Sequence, residues 1–101
     1  MTVLATTVPT VVHLSGDIDI ATTADLRRRI LAALDECVEV LILDMGAVTF
    51  CDAAGLGVLV HTQRHAKARG VTLALTRLTP QMTRLLDIAE LGDRFPVLAD
   101  S

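Results

Sequence analysis

From residue 38 to residue 75 the hydrophobic pattern changes period twice, and this constrains the fold more than any other feature of the chain. Residues 38–44 are β-branched and leucine-rich on both parities, which predicts a strand buried on both faces. A helix is predicted from about Ala53 to Arg69, closed by Gly70 at the position where glycine is favoured. Lys67 and Arg69 complement its C-terminal dipole. Val71-Thr72-Leu73-Ala74-Leu75 then reads as a strand again. Asp52 stands just before the helix, where a carboxylate accepts from backbone N–H groups one turn in. The free end of such a helix carries unpaired donors and about half a positive charge. It can hold a phosphate or meet an acidic partner.

The rest of the chain repeats this alternation. Thr10-Val11-Val12-His13-Leu14 is a predicted strand, stopped by Ser15-Gly16, with Gly16-Asp17-Ile18-Asp19 as a turn. A helix is expected from near Thr22, with Asp25 three residues later as a weaker capping box. Leu26, Ile30, Ala33 and Leu34 recur at helical spacing, and Arg27, Arg28 and Arg29 fall largely on the other side. Thr79-Pro80 opens a third helix whose core face is Leu85, Leu86, Ile88 and Ala89, with Gly92 at its end. Residues 95–97 form a last short strand, and residues 1–9, interrupted by Pro9, a fraying edge strand. Strands alternating with helices predict a single α/β domain over residues 1–101, with a mixed, largely parallel sheet of about four or five strands.

Composition narrows the function. At 51% hydrophobic residues in 101, the chain suits one core. A mean hydropathy of +0.53 comes from short apolar runs broken by charge, and none is long enough to span a bilayer. The start has no basic cluster followed by an apolar stretch, so the cytoplasm is the expected location. The net charge is −3, and there is no Trp or Tyr, which disfavours a phosphate-backbone or base-stacking binder. There is no P-loop and no G-x-S-x-G elbow, so an enzyme is not expected.

The run Phe50-Cys51-Asp52-Ala53-Ala54-Gly55-Leu56-Gly57 resembles the motif Phe-x-Asp-Ser-Ser/Thr-Gly-Leu-Gly of STAS domains, the fold of bacterial anti-sigma factor antagonists. Leu14-Ser15-Gly16-Asp17-Ile18-Asp19, Leu41-Ile42-Leu43-Asp44, Thr79-Pro80 and Leu91-Gly92-Asp93-Arg94-Phe95 match the same family in order and spacing. The resemblance spans residues 11–95 and implies a STAS-like fold, no cofactor, and a partner that is an anti-sigma factor with a GHKL-type kinase fold. It implies that the first Ser after the motif Asp is the phosphorylation site. Here that position is Ala53, followed by Ala54, so the usual off-switch is missing. The implied docking site is Asp52, Ala53, Ala54, Gly55 and Leu56, extended by Val60 and Gln63.

Each of these residues also has an ordinary structural reading. Asp52 is a common cap. Gly55, Val58, Leu59, Thr62 and Ala66 share one side of the helix, and Leu56 and Val60 widen the apolar arc. Either a neighbouring helix or a partner covers that flank. Cys51 is a small hydrophobe at a strand end, or a redox-sensing thiol activated by the helix end. A disulfide between Cys37 and Cys51 depends on their separation. His61 and His65 share a helix face without a third ligand, so no metal is expected. His13 reads as a half-buried strand residue, Asp44 as a strand end, and Asp17 and Asp19 as turn residues. Two other functions remain open at this point: a STAS subunit that binds the ATPase of an ABC lipid-transport complex, and a thiol sensor at Cys51.

Overall fold

The structure, a computed structural model, describes residues 10–36 and 39–98. The predicted edge strand in residues 1–9 and the Cys37 end of the disulfide question lie outside them. Four strands, β1 (Thr10–Ile18), β2 (Val40–Cys51), β3 (Thr72–Thr76) and β4 (Val97–Leu98), alternate with three helices, α1 (Thr23–Glu36), α2 (Ala53–Ala68) and α3 (Pro80–Ile88). The sheet order is β1-β2-β3-β4, and every described pairing is parallel, not mixed. Each connection between neighbouring parallel strands carries a helix, as parallel pairing demands.

The periodicities place the core. Leu26, Ile30 and Leu34 of α1 are buried, as are Val58, Leu59, Thr62 and Ala66 of α2. The apolar ones join Leu41, Leu43 and Met45 of β2 and Leu73 and Leu75 of β3 in one cluster. The alternate β2 residues Val40, Ile42 and Asp44 are only half-buried, so this strand is not sealed on both faces. Among the described residues Thr62 is the buried polar one, and its hydroxyl donates to the Val58 and Leu59 carbonyls. Gly70 takes φ +74° just past α2, and Thr79 caps α3 by accepting from the Met82 N–H.

Several boundaries differ from expectation, for identifiable reasons. β1 does not stop at Ser15-Gly16 but runs to Ile18. β2 does not end at Asp44 but continues to Cys51. Two register irregularities, between His13 and Ser15 and between Gly16 and Asp17, each oppose an extra β2 residue to β1. Each extra residue reverses which parity faces inward. The buried β2 positions therefore shift from Leu41, Leu43 and Met45 to Val48 and then to Cys51, and no period-2 pattern survives in the sequence. In α3 the core residues are Met82 and Leu86; Ile88, two residues past Leu86 and so on roughly the opposite side of the helix, is 75% exposed, and Ala89, beyond the helix end, is also outside. The left-handed residue after it is Glu90, at φ +59°, rather than Gly92. The Thr22 hydroxyl turns back to accept from the Asp19 N–H and to donate to the Asp17 carbonyl, so it serves the loop before α1.

Asp44 sits within β2 and ties the sheet together. It accepts from the Gly46 N–H, from Arg77 Nε at 3.1 Å and from His13 Nδ1 at 3.0 Å. His13 itself is exposed rather than half-buried. The Gly46 N–H, and then the Arg77 charge, hold the Asp44 carboxyl below its ordinary value of 3.8, against the effect of burial. A depressed folded-state pKa gives stability that is present above 3.8 and is lost as pH falls through the lower folded value. Asp44→Asn is expected to flatten the acid limb of a urea-stability profile; an unchanged limb would show that Asp44 does not contribute to it.

Candidate functional site

Asp52 alone separates β2 from α2, and so sharp a turn brings the helix start to the C-terminal edge of the sheet. Its backbone is extended (φ −114°, ψ −172°) and its N–H donates to the Ile18 carbonyl at 3.2 Å. Oδ1 accepts from the N–H groups of Ala54 (3.0 Å) and Gly55 (3.2 Å). A carboxylate thus already occupies the place a phosphate would take at this helix end, which favours a protein surface over a bound anion. One residue upstream, Cys51 is fastened by Gln81 of α3. Gln81 Oε1 accepts from the Cys51 N–H and its Nε2 donates to the Cys51 carbonyl. β3 pairs with β2 only as far as Asp44, so this side chain serves β2 where the neighbouring strand has ended.

The expected docking residues separate into two groups. Ala53 is exposed, and Asp52, Ala54 and Val60 are half-buried; Gly57, which is not among the expected residues, is open to solvent. Gly55 and Leu56 are buried. A Cβ on Gly55 would lie 2.6 Å from both Cys51 Sγ and Ile18 Cγ2. Their contribution is to hold the tip from beneath. Gln63 is half-buried, with Nε2 donating to the Arg94 carbonyl.

Two residues at the same end of the sheet were not foreseen. Ile20 is 81% exposed and Phe50 is 46% exposed. Asp17 pairs with Phe50 and Ile18 with Cys51, so the chain segments carrying both side chains leave the sheet beside Asp52. Solvent-facing Ile and Phe bordering a tip of small residues are typical of an interaction surface. The loop holding Ile20 is braced: Asp19 accepts from the Ala21 N–H, and Thr49 Oγ1 donates to Asp17 Oδ1 at 2.6 Å. Phe50 lay within the motif and has the parity of the half-buried Val40, Ile42 and Asp44. Gln81 gave no sequence signal.

Cys51 is 1% exposed at the end of β2. Burial, and secondarily the Asp52 charge, push its thiol up to about 11. This runs against the redox-sensor reading, which needs an accessible thiolate. In a Cys37→Ser background, Cys51 is expected to resist a thiol reagent at pH 7.5 until denaturant is added. Rapid labelling of the native protein would contradict this. His61 and His65 are exposed on α2, and among the described residues no group of three metal-ligating side chains gathers. Among the described residues no helix is long and apolar enough to cross a membrane.

Comparison with known proteins bears on the family and the fold. The STAS domain family model matches residues 2–101. An anti-sigma-B factor antagonist of Bacillus subtilis (strain 168) is 31% identical over 90 residues, covering 89% of this chain and 82% of the relative. An anti-sigma F factor antagonist of Paenibacillus polymyxa is 29% identical over 89 residues, covering 86% and 75%. The structure of the anti-sigma factor antagonist SpoIIAA in its unphosphorylated form superposes with a TM-score of 0.77 at 20% identity, over 97% of this chain and 84% of that one.

Proposed function

The chain belongs to the STAS domain family, and on that premise we propose that it is an anti-sigma factor antagonist that docks through the α2 tip and lacks the serine switch. The partner is an anti-sigma factor with a GHKL-type kinase fold, bound in the cytoplasm, and the domain contributes no catalysis. The contact surface is Asp52, Ala53, Ala54, Gly57 and Val60, bordered by Ile20 and Phe50. Gly55 and Leu56 set its shape from within. The observation that carries this reading is the exposed Ala53 at the first position of α2, directly after the Asp52 cap.

Alanine has no hydroxyl, so a kinase that binds here has nothing to phosphorylate at positions 53 and 54. The added charge of about −1.5 to −2 that would separate the partners cannot be installed. The complex is therefore persistent, or controlled by supply of the protein. Two relatives named as anti-sigma factor antagonists support this reading over the ABC-transporter alternative.

The test is to incubate the purified protein with candidate anti-sigma kinases and ATP, and to measure complex formation and phosphate incorporation. Binding to at least one kinase is expected, with no label on the 52–55 turn. Ala53→Ser should make the turn labelable. A kinase that binds the Ala53→Ser variant and leaves it unlabelled would show that position 53 is not a lost acceptor. An ATPase of a transporter as the co-purifying partner would replace the reading.

A further inference from the structure

We infer that the groove between the outer flank of α2 and loop 92–96 receives acidic side chains of the protein that docks on the α2 tip; this rests on the docking reading above and adds the partner's chemistry to it. The groove measures about 490 Å³, and the buried Val71, Leu73 and Phe95 are among its lining residues. Lys67 and Arg94 line it, and Arg64 joins them in an adjoining depression. The Gln63 side chain bonds to the Arg94 carbonyl and so fixes the loop to the helix.

Arg64, Lys67 and Arg94 form no ion pair among the described residues, whereas Arg28, Arg69 and Arg77 each hold an aspartate. Asp93 is the acid that lines both hollows, against the three cations. This concentration of positive charge occurs in a chain of net charge −3. Lys67 alone is accounted for by the helix C-terminal dipole. Arg94 is not, because it comes from a loop and stands beside α2 through tertiary folding. Like charges gathered around a hollow repel one another and focus a field that attracts anions.

The position of the groove names its occupant. Ala53, Gly57, Val60, Arg64 and Lys67 are spaced at i, i+4, i+7, i+11 and i+14, so they form one stripe along α2. Ala53 and Lys67 are roughly 21 Å apart along the helix axis at 1.5 Å per residue. A protein seated on the tip that follows this stripe reaches the cations, and its matching surface carries Asp or Glu about 20 Å from its contact with Ala53.

Two measurements test this. Hexaglutamate, titrated at low ionic strength, is expected to shift the amide resonances of Gln63, Lys67 and Arg94. The combined Arg64→Gln, Lys67→Gln and Arg94→Gln variant should abolish those shifts, and hexaglutamine should not produce them. Absence of localised shifts, or equal shifts with inorganic phosphate at matched charge, would overturn the inference. With an anti-sigma factor that binds, reversal of the three charges to Glu should slow association about tenfold and flatten its salt dependence. Unchanged rate and salt dependence would overturn the groove while leaving the partner class intact. Hexaglutamate mapping to the groove, with no anti-sigma factor binding at all, would support the groove and reject the partner class.

Discussion

Gly55→Val is expected to destabilise the domain by about 3 kcal/mol, the upper part of the range for overpacking a filled interior. Helix propensity alone predicts the opposite sign, because glycine inside a helix costs roughly 1 kcal/mol relative to alanine. The neighbours decide. Even a single Cβ would meet Cys51 Sγ and Ile18 Cγ2 at 2.6 Å and the Ile18 carbonyl oxygen at 3.0 Å. Cys51 and Ile18 are both buried, so neither has open space to retreat into. The Ile18 oxygen is backbone and also accepts from the Asp52 N–H. Pushing α2 away would therefore loosen the turn that presents Ala53. Gly57 is the internal control: nothing lies within 4 Å of its Cβ position. Gly57→Ala should stabilise by about 0.5–1 kcal/mol. Urea unfolding of both variants reads the difference, and equal midpoints would show that the close approach at Gly55 carries no energy.

Ala53→Glu should weaken binding to the anti-sigma factor about 100-fold or more while leaving the fold intact. The site is the first residue of α2 and is exposed, so the side chain has room. An acid in a first turn is favourable by roughly 0.3–1 kcal/mol, which offsets repulsion from Asp52. The melting temperature should change little. Binding should not tolerate it, because a new charge would be buried unpaired at the centre of the proposed contact. A 100-fold loss corresponds to about 2.7 kcal/mol. Ala53→Gln separates size from charge, and Ala53→Ser should bind as the parent does. An Ala53→Glu protein that folds and binds with unchanged affinity would move the docking surface away from this tip.

Both predictions rest on features with different visibility in the sequence. The strand–helix alternation, the Asp52 and Thr79 caps and the Gly70 terminator are local choices that depend on nearby residues. They were legible, as was the inner stripe of α2. The second half of β2 was not, because its two irregularities break the alternation by which a strand is recognised. The outer limit of α3 was missed because the apolar Ile88 suggested continuation where the chain leaves the helix.

What the sequence determined alone is the order of elements, the inward side of α1 and α2, and a helix start of small residues, with no hydroxyl to modify, directly after an aspartate. All of these follow from neighbours within a turn or two of chain. Tertiary structure alone decided that Leu56 lies inside as well, that Ile20 and Phe50 face solvent, that Gln81 closes the end of β2, and that Arg94 joins Arg64 and Lys67. Each of these is set by strand register or by a contact between segments far apart in the chain. Such contacts depend on how whole elements pack, and no local pattern encodes them.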